Sequence, residues 1–177
     1  MAIENERKYL VGNEPMDLTE WMYEEIEQGY LILDKKEGKQ VRVRISKVTT
    51  PQWSEWTYQL TYKQDIDATK REEVEINIPE LEAKELMELC MTKLTKKRWS
   101  TLYRPLIPES DRRQTSVVSV DEYPDGLKVI EVELLLDSSD EIIPHPYCGK
   151  DITGDKKYSN ITIAKKQTDD TKKISNQ

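Results

Sequence analysis

The chain has 177 residues, enough for one domain with a sizeable core, and its 34 acidic and 27 basic residues leave a net charge of −7. That balance excludes a general binder of duplex nucleic acid, which needs a basic surface. No run approaches membrane-spanning length, Met1-Ala2 leads straight into a strand pattern without an apolar signal segment, and Cys90 and Cys148 lie in no metal-like or disulfide-dense spacing. A soluble cytoplasmic protein with reduced thiols, monomeric or homodimeric, is the expectation.

Ile3 to Tyr9 reads as a strand with Glu4, Glu6 and Lys8 at alternate positions. Asp17-Leu18-Thr19-Glu20 has capping-box spacing, and Leu18, Trp21, Met22, Glu25 and Ile26 begin a 3.6-residue stripe, which predicts a helix ending at Gly29. Val41 to Ile45 (Arg42, Arg44), Tyr58 to Lys63 and Arg71 to Ile78 (Arg71, Glu73, Glu75) read as strands. Pro79 opens a second, longer helix with Ala83, Leu86, Met87, Cys90 and Leu94 on one stripe, expected to pack on the apolar outer face of the sheet. Strands follow at Leu94 to Tyr103 and Thr115 to Glu122, and Pro124-Asp125-Gly126 turns the latter into a hairpin with a strand reaching Leu136 (Glu131, Glu133). Beyond Asp137 the prolines and glycines predict loop, and from Lys165 a polar tail that frays.

Five of these strands carry charges at every second position, acids mostly in the first and last and bases between. One such face is an ordinary solvated face; five of them, in a closed or nearly closed sheet, make a charged channel suited to a metal and a polyanion. Glu4 with Glu6, and Glu131 with Glu133, point the same way and can converge on a hard cation, Mg²⁺ or Mn²⁺, with Asp121 completing the set. Arg42 and Arg44 offer planar forks for phosphate oxygens, and Lys8, Lys63, Lys96 and Arg98 add further positive charge. His145, the single histidine, lies between two prolines and is expected to be exposed, and there is no Gly-rich phosphate loop. Phosphate gripping must therefore rest on side chains.

These residues resemble the CYTH domain, or triphosphate tunnel metalloenzyme, family. Its Glu-x-Glu-x-Lys signature stands as Glu4-Asn5-Glu6-Arg7-Lys8, followed in family order by Gln28-Gly29-Tyr30-Leu31, Val41-Arg42-Val43-Arg44, Leu60-Thr61-Tyr62-Lys63 and Arg71-Glu72-Glu73-Val74-Glu75. Lys96-Lys97-Arg98-Trp99, Val129-Ile130-Glu131-Val132-Glu133-Leu134 and the stretch from Gly149 to Asn160 complete the likeness, which spans Ile3 to about Ala164. The resemblance implies an α+β protein: an eight-stranded antiparallel barrel, open at both ends, with helices outside, residues 1–164 forming the domain and 165–177 the tail. It also implies a small-molecule triphosphate as partner, with no membrane and no duplex nucleic acid.

Carried over by position, the resemblance makes Glu4, Glu6, Asp121, Glu131 and Glu133 ligands of Mg²⁺ or Mn²⁺. It makes Lys8, Arg42, Arg44, Lys63, Arg71, Lys96 and Arg98 ligands of the triphosphate. Glu73 and Glu75 join Glu4, Glu6 and Lys8 as catalytic residues, on the metal side or positioning water. Asp151 stands where the family commonly has Glu, and Tyr147 where it often has Trp. The segment from Val48 to Glu55 has no family match, and Trp53 and Trp56 either stack on a base or cap the barrel rim. Metal-dependent triphosphate hydrolysis leads, with a class IV-type adenylate cyclase and a non-catalytic triphosphate-binding protein as alternatives.

Overall fold

Alternating inward and outward side chains commit a strand to one register once either face is buried, and here both faces are used. The computed structural model of the chain describes residues 2–34, 38–67, 70–135 and 141–175. It contains β1 (Ala2–Val11), β2 (Met22–Asp34), β3 (Lys39–Thr49), β4 (Ser54–Asp65), β5 (Lys70–Asn77), α1 (Glu80–Leu89), β6 (Thr92–Tyr103), β7 (Ser116–Glu122), β8 (Lys128–Leu134), β9 (Cys148–Asp151) and α2 (Asn160–Ser175). Eight antiparallel strands run β5-β4-β3-β2-β6-β7-β8-β1, and pairing of Ala2–Asn5 with Lys70–Glu73 closes them into a barrel. The short β9 adds to β1 further along the same edge. Leu136 and the start of the loop expected after Asp137 lie outside the described residues.

The outer face is covered in two places. Val118, Val120, Ile130 and Val132 are buried in one cluster with Ile142, against which Met16, Leu18, Trp21 and Tyr147 pack. Helix α1, with Glu80 and Glu82 in its first turn where the helix dipole favours acids, buries Ala83 and Met87 against Val43. Gly29 makes that approach possible: a Cβ there would stand 2.5 Å from Cys90 Sγ and 2.8 Å from Met87 Sδ.

Three expectations are corrected. The helix expected to end at Gly29 is instead the 13-residue strand β2, paired with β3 and β6 on its two edges. Its inward positions, Ile26, Gln28 and Tyr30, are all buried, a period of two that the apolar stripe concealed. The capping-box aspartate closes a local turn instead, accepting from the Thr19 backbone N–H and hydroxyl. The second helix stops at Leu89, and Leu94 belongs to β6, where it points inward. The polar segment from Lys165 continues α2, which is pinned to β6 where Thr168 and Gln167 meet the backbone N–H groups of Lys93 and Thr95.

The start of α2 also bears on the channel. Ile163 and Ala164 of α2 pack with Tyr30, Leu94, Tyr123, Val129 and Ile152 in one buried cluster that fills an end of the barrel. The closed eight-stranded barrel with two helices outside is as expected, and this apolar cluster forms a floor at one end of the tunnel, beneath a charged cup. Among the described residues no helix is long and apolar enough to cross a membrane.

Candidate functional site

Above the apolar floor the inward side chains are charged. A cavity of about 640 Å³ is lined by twelve of the fourteen expected site residues: Glu4, Glu6 and Lys8 from β1, Arg42 and Arg44 from β3, Lys63 from β4, Arg71, Glu73 and Glu75 from β5, Arg98 from β6, and Glu131 and Glu133 from β8. Strand order sorts the charge. The acids of β8, β1 and β5 sit on three consecutive strands, and β3, with its two arginines, stands four strands around the ring from β8.

Lys96 and Asp121 do not line the cavity with the rest. Both side chains are fully enclosed beneath it, with Lys96 Nζ 2.5 Å from Asp121 Oδ2. Arg98 joins them through Nε to Oδ1 (2.6 Å) and Nη2 to Oδ2 (2.8 Å), a two-pronged pair, and its Nη2 also donates to Glu131. Lys8 then bonds the other oxygen of Glu131 at 2.5 Å. The aspartate expected to ligate a cation and the lysine expected to grip phosphate thus neutralise each other. Burial lowers the Lys96 ammonium to about 8, helped by the Arg98 charge beside it. Burial works against ionisation of Asp121 and Glu131 too, yet the surrounding cations hold both carboxyls below their usual range.

Higher in the cup the accounting fails to close. Arg42 Nε and Arg44 Nε are buried and have no hydrogen-bond partner. Arg42 lies 3.8 Å from Glu73, and Arg44 donates to the neutral Gln28 Oε1 at 3.4 Å, with the charges of Glu24 and Glu75 acting on it from further off. Burial, with Arg42 and Arg98 nearby, pushes Arg44 down to about 10. On the acid wall Lys63 holds Glu4 (2.6 Å) and Glu73 (2.7 Å), while Glu6 meets Arg71 and Lys8 at 3.4 Å each. Burial together with Glu4 and Glu6 pushes the Glu133 carboxyl up to about 7. Unpaired donors on one wall and crowded carboxylates on the other invite a polyanion accompanied by a cation.

A divalent cation is what the fold family implies, and the donor set fits one. Glu4, Glu6, Glu131 and Glu133 are hard oxygen donors on two adjacent strands, with Glu6 directly opposite Glu133 in the ladder. Among the described residues no three acidic, histidine or cysteine side chains already stand together as a metal-binding group. The oxygens of Glu4, Glu6 and Glu131 face lysine and arginine instead, and those partners would have to turn to the anion for the cation to be held.

Several contributing residues were not singled out from sequence. Gln28 aims Arg44 and donates to the Tyr30 hydroxyl at 2.6 Å; the helical stripe read up to Gly29 hides the alternation Glu24, Ile26, Gln28, Tyr30 that places them. Asn160, the first residue of α2, lines the cavity and accepts from Lys96 (3.4 Å) and the Tyr123 hydroxyl (2.7 Å). Ser119 lines it too, paired with Ser100 at 2.9 Å. Trp53 and Trp56 stay exposed and do not line the cavity. His145 is packed, not exposed: its ring lies 4.6 to 5.7 Å from those of Tyr147, Tyr103 and Trp21, which bolts the 141–147 segment over the outer sheet.

Among solved structures the chain is similar to the inorganic triphosphatase NE1496, at 24% identity over 93% of this chain and 95% of that one, with a TM-score of 0.51. It is also similar to the PH1819 protein from Pyrococcus horikoshii OT3, at 21% identity over 97% and 87% of the two chains, with a TM-score of 0.55. No family model and no curated protein matches the sequence. At such identities the likeness is one of fold, and the fold is a CYTH-like triphosphate tunnel.

Proposed function

We propose that this protein is a metal-dependent hydrolase of a triphosphate, inorganic or organic, acting inside the charged cup. The observation that carries the reading is the pair of buried guanidinium Nε donors, Arg42 and Arg44, left without partners and facing an acid wall in the same cavity. Donors desolvated in this way without a bond cost stability, and phosphate oxygens would satisfy them. The likeness of fold to an inorganic triphosphatase points the same way.

Glu4, Glu6, Glu131 and Glu133 would hold Mg²⁺ or Mn²⁺. Such an ion supplies Lewis acidity and charge neutralisation. Arg42 and Arg44 bind the phosphoryl oxygens, Lys63 and Arg71 turn from their glutamates to the chain of phosphates, and Arg98, held rigid by Asp121, adds a preorganised positive charge. Lys8, released from Glu131, does the same beside it. Water adds to the terminal phosphorus as the bridging P–O bond breaks. Orthophosphate, diphosphate or its ester, and one proton are formed. Glu75, oriented by Thr61 (3.2 Å) and Gln59 (2.7 Å), positions that water with Glu73.

A panel of inorganic triphosphate, ATP, GTP, thiamine triphosphate and triphosphorylated RNA, incubated with Mg²⁺ or Mn²⁺ and resolved by chromatography, tests the proposal. Orthophosphate release from at least one substrate, abolished by chelation, is the expected result. Cyclic AMP with diphosphate would mark a cyclase, and tight binding without product over hours a binding protein.

A further inference from the structure

The inward face changes character along the barrel axis. From floor to mouth the inward positions run Leu94, Lys96, Arg98, Ser100, Leu102 on β6, Tyr123, Asp121, Ser119, Val117 leading out along β7, and Val129, Glu131, Glu133 on β8 with Leu135 just beyond. On each of these strands the polar and charged residues therefore lie between apolar ends, with Glu133 level with Val117 and Leu102 in the ladder. The floor is closed by α2, whereas the upper band meets solvent.

Three residues on consecutive strands build that upper band. Leu102 is the ladder partner of Val117, and Leu135 continues beside them, its N–H bonded to Thr115 O at 3.2 Å. Val117 and Leu135 line the same cavity as the charges. Leu102 and Leu135 remain 56% and 50% exposed. Large apolar side chains grouped at the mouth of a ligand cavity mark a contact surface. A bare triphosphate, charged along its whole length, has no use for one. The cavity, about 640 Å³, falls within the roughly 300–1,000 Å³ typical of sites for organic ligands. Along β6 the ledge stands about 13 Å above Arg98, four residues at the strand rise, which leaves room for a sugar and a ring beyond the phosphates.

We infer that the ledge of Leu102, Val117 and Leu135 receives the organic end of a triphosphate ester, a flat ring with apolar faces such as that of a nucleoside triphosphate. The inference rests on the hydrolase reading and names its substrate class. The phosphates lie in the charged band, and the ring lies against the leucines, covering surface that water otherwise meets.

The test compares ATP and GTP with inorganic triphosphate as substrates for the wild type and for the double variant Leu102→Ser/Leu135→Ser. Both side chains are more than half exposed, so the fold should tolerate the change. In parallel, calorimetry in the presence of Mg²⁺ measures binding of a non-hydrolysable nucleoside triphosphate and of inorganic triphosphate. The expected result is a fall of at least tenfold in the ratio of kcat/KM for nucleoside to inorganic triphosphate, carried by KM, and the same fall in the ratio of affinities. A ratio unchanged within twofold in either measurement overturns the ledge, even when inorganic triphosphate is still hydrolysed. A wild type that binds nucleotide in a ledge-dependent way yet turns over nothing supports the ledge and overturns the hydrolase reading.

Discussion

The floor and the upper wall of the cup use the same residue types to opposite ends. At the base of the cup Lys96 and Asp121, enclosed beneath the cavity, join Arg98, Glu131 and Lys8 of its lining in a chain of ion pairs in which every carboxylate oxygen is matched. Above it Arg42 and Arg44 keep unpaired donors, and Glu133 sits among like charges. A closed network holds a fold in one arrangement; an open one stores a demand for a ligand. Charge that looks equivalent along a strand thus divides into scaffold and site.

The sharpest way to break this contrast is to exchange the consequences of mutation. Arg44→Ala should lower kcat/KM by roughly 10²–10³-fold while leaving the melting temperature within a few degrees, because the side chain is poorly satisfied in the free protein. Steady-state kinetics with thermal denaturation on one preparation checks both. Asp121→Asn should do the reverse at first sight, costing about 3–5 kcal/mol of stability by leaving buried Lys96 without its counter-ion and Arg98 with Glu131 alone. Denaturant unfolding measures it, and an unaffected midpoint would dissolve the distinction between floor and wall.

A finer probe is pH. The folded-state pKa of Glu133 lies near 7, above its ordinary value, so its protonated form is favoured by folding. The stability this contributes is present below the ordinary carboxylate pKa and is lost as pH rises through about 7. In metal-free protein Glu133→Gln should therefore raise stability at pH 8 by on the order of 2 kcal/mol and leave it unchanged at pH 4. The smallest effect expected is that of Gln28→Ala, which frees the Arg44 fork without removing it; a loss of activity of about tenfold with unchanged metal dependence would place Gln28 as a positioning residue.

Much of this was legible in the chain. Charges at every second position marked β1, β3, β5 and β8, and Pro124-Asp125-Gly126 the hairpin of β7 and β8. Strand β2 was not, since Leu18, Trp21, Met22 and Ile26 fit a helical stripe and Asp17 a cap, while the pairing that overrides them comes from β3 and β6. The same holds for Lys96 and Asp121. Two residues each fit for a ligand meet in one ion-pair cluster with Arg98 because β6 and β7 align Arg98 opposite Asp121, a register that no local pattern announces. Gly29, taken for a helix stop, is the flat place on which α1 lands.

The most direct measurement is calorimetric titration of inorganic triphosphate, with Mg²⁺, into the wild type and into the Arg42→Ala/Arg44→Ala double variant. If the two guanidinium groups with unpaired Nε donors are the seat of the anion, the double variant binds at least a hundredfold more weakly and remains as stably folded. Equal affinity in the two proteins would contradict that claim outright.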